Sequence, residues 1–326
     1  AISLITIWGL TGINLFGVNM SGKFQVIFST IKVGAVGAII GMTLTSFSTG
    51  NIGNFTNPLW PETFGWETVL AVGAALRYSF FAFSGWEGAT YMAEEVKDPQ
   101  RTLPLSLFFG IGGVTLLYIG TNLGYLYQLN VQEIIENKWV ATAAMKVVLG
   151  ATGGVLISVA VAINAFGNIS TQILCKGRTW HAMARDGLFF DKFKVLHPVF
   201  KSPNNALIGQ GIWATILLIF SVVATYLQSG TSGSNAYEIM IDFFSATSTI
   251  FNLLTFGAIY VLRKKWPQKD RPYKALLYPW SMIIVLILYS SFLVITLITA
   301  FIPSLVGLAL TFSGTFYYLK KVKIKS

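Results

Sequence analysis

The sequence predicts an all-α polytopic membrane protein of about nine spanning helices, one of them broken. Three observations carry that prediction. The 326 residues are 54% hydrophobic and only 11% charged, whereas roughly a quarter of a soluble domain is charged, and the mean hydropathy is +0.63. The apolar residues gather into nine runs, at 2–18, 24–47, 67–92, 104–128, 147–174, 205–227, 237–262, 278–302 and 304–319, each near the ~20 residues a helix needs to cross the hydrocarbon. None of them shows the short alternating segments of a transmembrane barrel.

Along the chain, the first two runs are separated by a short stretch holding Lys23. The second carries Lys32, eight residues inside its apolar boundary and so about 12 Å deep at the rise of an α-helix. A lone charge there costs at least ~3 kcal/mol even on the lenient insertion scale. Its ammonium therefore either snorkels to the interface or meets oxygen atoms inside. Residues 46–66 form a polar linker rich in Asn, Thr and Gly, with Pro58 and Pro61.

The third run holds Phe80-Phe81-Ala82-Phe83-Ser84-Gly85-Trp86-Glu87-Gly88. Glycine weakens a helix by about 1 kcal/mol relative to alanine, and Glu87 is an ionisable group at membrane depth. Irregular backbone at that depth is tolerated only where protein or a cavity receives it. A helix interrupted beside a carboxylate is the pattern of a binding site in a secondary transporter. Glu87 then faces a cavity, where it contacts a substrate or carries a proton. The other reading pairs it structurally with Arg77 or a polar neighbour. The phenylalanines Phe80, Phe81 and Phe83 have an equally simple role as packing.

After the fourth run, residues 130–146 set Val131, Ile134, Ile135 and Val140 against Glu133, Glu136 and Lys138, the pattern of an amphipathic surface helix. The stretch 176–201 is long and basic, and its Ala184-Arg185-Asp186-Gly187 stops a helix at glycine. A second basic connection, with Pro267 and Pro272, spans 264–274.

Of the 23 Lys and Arg, all but Lys32, Arg77, Lys138 and Lys146 fall in one alternate set of connections or at the C-terminus. The positive-inside rule places that set, and the C-terminus, in the cytoplasm. The formal charge of +10 is thus a matter of topology and not a nucleic-acid face. With Cys175, His181 and His197 as the whole complement of Cys and His, neither an internal disulfide nor a metal site of familiar spacing can form. No nucleophile–base–acid set, filter-like motif or cofactor-binding pattern appears. The expected partners are a small-molecule substrate and the lipid bilayer, with no nucleic acid.

Phe81-Ala82-Phe83-Ser84-Gly85-Trp86-Glu87, followed by Glu94-Glu95-Val96-Lys97-Asp98-Pro99-Gln100-Arg101-Thr102-Leu103-Pro104, resembles the sixth helix and following loop of the amino acid–polyamine–organocation transporter superfamily. Asn14-Leu15-Phe16-Gly17-Val18, Gln25 and Thr30-Ile31-Lys32-Val33 resemble its fourth and fifth helices. Ala182-Met183-Ala184-Arg185-Asp186-Gly187-Leu188-Phe189 and Arg271-Pro272-Tyr273-Lys274 resemble the loops after its eighth and tenth.

The resemblance implies one transmembrane domain, 1–326, with a partial LeuT-type inverted-repeat fold. Residues 1–47 would end the first repeat, 67–262 form the second, and 278–319 supply two terminal helices. The family's first three helices have no counterpart here. The implied function is secondary active transport of amino acids across a plasma (inner) membrane, by exchange or proton coupling. Carbonyls of Phe81, Ala82 and Ser84, at the break marked by Gly85, would receive the substrate ammonium, with Phe81 as an aromatic gate and Glu87 beside them. Gln172 aligns with a cavity-facing turn that includes Ser170 and Thr171, although helix–helix hydrogen bonding explains it equally well. Lys32 would stand where sodium-coupled relatives bind an ion, which argues against sodium. Its expected partners lie on the absent first helix, so Lys32 should be under-satisfied in this chain. The competing reading is a non-transporting membrane fragment or accessory piece without a complete site.

The topology predicts that a cysteine replacing Lys269 in a Cys175→Ser background resists impermeant maleimide added outside intact cells. Labelling there would reverse the orientation.

Overall fold

A computed structural model describes residues 2–16, 18–56, 63–91, 93–228, 236–271 and 275–323. Every regular element among them is helical. The helices are α1 (Ile2–Leu15), α2 (Val18–Thr45), α3 (Trp66–Phe83), α4 (Gly88–Tyr91), α5 (Pro99–Gln128), α6 (Val131–Glu136), α7 (Val140–Leu149), α8 (Ala151–Arg185), α9 (Asn204–Gln228), α10 (Ala236–Lys265), α11 (Trp280–Thr299) and α12 (Phe301–Lys323), with single 3-10 turns at Ile52–Phe55, Ala93–Glu95 and Asp191–Lys194.

Eight described segments are long and apolar enough to cross a membrane, so the chain is an integral membrane protein. The predicted first span is shorter than expected: α1 has 14 residues, about 21 Å of helix. Two predicted boundaries also move. The surface helix at 130–146 is two helices, α6 and α7. The first is closed by a capping box in which Asn130 and Glu133 satisfy each other's backbone N–H groups. The run beginning at 147 splits at Gly150, and α8 continues past residue 174 to Arg185, just before Gly187 at φ +75°.

The chain groups into two compact units. The first comprises Ala1–Glu62, Trp86–Arg185 and Phe190–Ile212, and α8 is its spine: α1, α2, α4 and α7 all pack on it. Leu10, Ile173 and Leu207 form a buried apolar cluster of α1, α8 and α9. The C-terminal ends of α2 and α5 are clasped by Gln128, whose amide donates to Thr43 O at 2.6 Å and whose oxygen accepts from Thr49 Oγ1 at 2.7 Å. Gly153 lets α8 press against α7, since a Cβ there would collide with the Met145 carbonyl.

The second unit comprises Thr63–Gly85, Asp186–Phe189 and Trp213–Ser326. In it α3 packs on α10 and α11, and α10 on α11 and α12. Phe80 stacks on Phe292 with ring centroids 4.3 Å apart and meets Tyr289 edge-on, and Tyr289 also meets Phe256. Phe80 is thus a packing residue, one of the two roles its sequence allowed.

The backbone contact at Gly153 predicts a loss of about 1–3 kcal/mol for Gly153→Ala, the cost of overpacking a site that cannot yield. The helical Gly257 has open space at its Cβ position, so Gly257→Ala should be neutral or mildly stabilising. Thermal unfolding of the two variants in the same detergent checks the contrast.

Candidate functional site

The expected interruption is present. Helix α3 ends at Phe83, Ser84 is extended at φ −66° and ψ 155°, and Gly85 takes φ +102°, a conformation strained for any residue with a Cβ. Helical structure resumes for a single turn, α4, and then tightens into the 3-10 turn at Ala93–Glu95. The break therefore does not restart a long helix. It leads into one turn of α-helix that needs support from elsewhere.

On the α3 side, the Phe81 carbonyl accepts from both Ser84 N (3.1 Å) and Ser84 Oγ (2.7 Å). The Phe81 carbonyl, expected to receive a substrate ammonium, thus already accepts two donors from Ser84. The half-buried Phe81 ring meets Phe244 edge-on at 5.8 Å. Ala82 is exposed, and Ser84 and Gly85 are half-buried. Thr247 of α10 receives a long 3.4 Å hydrogen bond from Thr311.

On the far side of the break, α4 is held by α8. Glu87 lies 3.7 Å from Lys176 Nζ, with the two side chains 21% and 36% exposed. The Lys176 ammonium also donates to Tyr91 Oη at 3.4 Å and sits 4.8 Å from that ring's centroid. A Cβ on Gly88 would be in ordinary contact with the buried Cys175 Sγ. Further along, Arg185 clamps Glu94 through two bonds of 2.9 and 3.1 Å. Glu87, whose structural alternative pairs it with Arg77 or a polar neighbour, is within ion-pair reach of Lys176. The side chains of Arg77 and Glu95 and the motif residues Pro272, Tyr273 and Lys274 lie outside the described residues.

The α8 stretch Gly167–Gln172 carries polar contacts to α1 and α2. Asn168 Oδ1 accepts from Lys32 Nζ at 2.6 Å. Ser170 Oγ lies 3.4 Å from Asn14 Nδ2, and Thr171 Oγ1 donates to Gln25 Oε1 at 2.6 Å. Gly167 makes room for the lysine, because a Cβ there would stand 2.5 Å from Lys32 Cε. For Lys32, expected to be under-satisfied, α8 supplies one partner, the side-chain oxygen of Asn168. Gln172, next in line, is exposed. The side chains of Asn14 and Ser170 are buried, and Asn14 Oδ1 and Gln25 Nε2 have no partner, which leaves hydrogen-bonding capacity on α1 and α2 where they meet α8.

Sequence reasoning missed Asn168 and Lys176. The polar cluster Asn168-Ser170-Thr171 is visible on an apolar run, but nothing in sequence joins it to residues 136 positions away. Lys176 reads as a loop cation as long as the span is taken to end at 174. His181 and His197 both engage backbone groups. His181 Nδ1 is 3.0 Å from Phe193 O, and His197 Nδ1 accepts from the backbone of Val199 and Phe200.

Comparison with known proteins decides the kinship. The profile of the family described as amino acid permease matches residues 1–319. The chain belongs to that family. Among similar proteins, the serine/threonine exchanger SteT of Bacillus subtilis is 31% identical over 77% of this chain and 55% of its own length. The large neutral amino acids transporter small subunit 2 of Mus musculus is 27% identical over 95% of this chain and 55% of its own. The human cystine/glutamate transporter is 24% identical over 85% and 52%. This permease-family chain thus spans about half the length of the relatives it matches.

Arg185, hydrogen-bonded to Glu94, holds that carboxyl below its usual range. A lowered folded-state pKa gives a stabilisation that is complete above the unfolded-state pKa and lost as pH falls through the folded one. Wild type should therefore exceed Glu94→Gln in unfolding midpoint at neutral pH, and the gap should close on acidification below the carboxylate range. A gap independent of pH would show that the pair does not act through charge.

Proposed function

We propose that the protein carrying this chain is a secondary transporter of amino acids, working by alternating access and independent of sodium. The observation that carries this reading is the interruption between Phe83 and Gly88, with Glu87 at its edge, in a member of the amino acid permease family. A helix end carries partial charge from unpaired backbone groups, and a break places that charge at membrane depth without a fixed ion. Substrate ammonium would be received by backbone of the break at Ala82, Ser84 and Gly85. Phe81 would contribute its ring and not its carbonyl, with Glu87, next along the chain, as a further polar group.

Sodium independence rests on Lys32. An ammonium 2.6 Å from Asn168 Oδ1 is a covalently tethered cation, and a second cation drawn to the same oxygen would meet its repulsion. Coupling would then fall to a proton or to a second amino acid. Glu87 takes part in it through its proximity to Lys176, because protonating the carboxylate releases that ammonium from its ion pair. The basic connections and the C-terminus face the cytoplasm of a plasma membrane in this reading.

Uptake of labelled amino acids into liposomes by the protein carrying this sequence tests it. Replacing sodium with choline should change nothing. Lys32→Ala should bring uptake to background with normal expression, Asn168→Leu should lower it strongly, and Glu87→Gln should flatten its pH profile. Sodium-driven uptake, or wild-type transport by Lys32→Ala, would overturn the role given to Lys32.

A further inference from the structure

We propose that Lys265, Trp266 and Lys269, at the C-terminal end of α10, form a binding site for the headgroup of an anionic phospholipid. Both flanking helices are membrane spans, one ending at Lys265 and the other starting at Trp280, so the connection lies at the bilayer surface. Arg263, Lys264 and Lys265 occupy the last turn of α10. A helix C-terminus favours cations, and that alone would account for these three. It does not account for Lys269, which lies beyond the helix and shares a platform with Lys265. The two ammonium groups sit 5.6 and 5.2 Å from the centroid of the same exposed Trp266 ring. Asp270 is the single carboxylate between residues 263 and 274. Arg271 is committed elsewhere: it donates to the carbonyls of Trp266 (2.6 Å), Lys269 (3.0 Å) and Pro267 (3.3 Å) and so fixes the turn that presents the two lysines.

The apolar half of the site follows immediately. Leu276, Leu277 and Trp280 are 77%, 73% and 70% exposed, and Leu277 adopts φ +53°, an uncommon conformation for a leucine. Arg263 lies over the Tyr278 ring at 3.8 Å. Two cations on one indole at the end of α10, with exposed apolar residues leading into α11 and the two helix ends joined by Arg263 on Tyr278, offer groups for both halves of a phospholipid: phosphate for the lysines, glycerol and upper acyl chain for Leu276, Leu277 and Trp280. A small soluble anion would use the lysines and leave the leucines in water.

The test is headgroup-selective quenching in vesicles, independent of transport. The whole chain is reconstituted in phosphatidylcholine containing an equal fraction of either brominated phosphatidylglycerol or brominated phosphatidylcholine. The fluorescence lost in Trp266→Phe isolates the local signal. The brominated anionic lipid should quench that signal more than its zwitterionic counterpart. The preference should fall roughly fivefold for each lysine neutralised in Lys265→Gln/Lys269→Gln, and Lys265→Arg/Lys269→Arg should retain it. Excess soluble glycerol phosphate should leave it intact. Equal quenching by the two lipids, a preference that survives the Gln pair, or its abolition by glycerol phosphate would each overturn the proposal.

Discussion

Hydrocarbon offers no hydrogen bonds, and every freed backbone group in a span must find a partner within the protein. The interruption after Phe83 works against that rule, and much of its surroundings can be understood as a response. Ser84 turns back with both its N–H and its hydroxyl to cover the Phe81 carbonyl. Thr90 does the same for Glu87, through N–H at 2.9 Å and Oγ1 at 2.6 Å. What remains is a single turn of helix too short to persist by itself. It is held from outside by α8, through Lys176, Cys175 and, further down, Arg185.

Two stretches of α8 share the polar work of the first unit. The upper one, Gly167–Gln172, engages α1 and α2 through Asn14, Gln25 and Lys32. The lower one, Cys175–Arg185, engages the segment that follows the break. Each involves a charge that would be costly alone at membrane depth, Lys32 in the first and Glu87 in the second. Each is answered differently: Lys32 by a neutral amide oxygen, and Glu87 by an opposite charge.

The architecture was legible because hydropathy records the bilayer directly. The break was legible too, since Ser84-Gly85 beside Glu87 makes no sense in an uninterrupted span. Helix ends were less so. Hydropathy falls at Lys176, yet backbone hydrogen bonding runs on to Arg185, because leaving the hydrocarbon does not end a helix that water can also solvate. The occupied carbonyl of Phe81 escaped notice because it depends on the rotamer of Ser84, and rotamers are not written in a motif. The seat of Lys32 escaped notice because Asn168 joins it only through the packing of α2 on α8.

The 35 residues of α8 measure about 52 Å along the axis, against roughly 30 Å of hydrocarbon. Such a rod is a lever. Its grip on α1 and α2 is near residue 168, and Arg185 lies seventeen residues beyond, about 25 Å away along the axis. A tilt of roughly 10° about that grip displaces the guanidinium by about 4 Å, more than a bidentate hydrogen bond can follow. By geometry alone, an angular change at the grip is magnified at the tip.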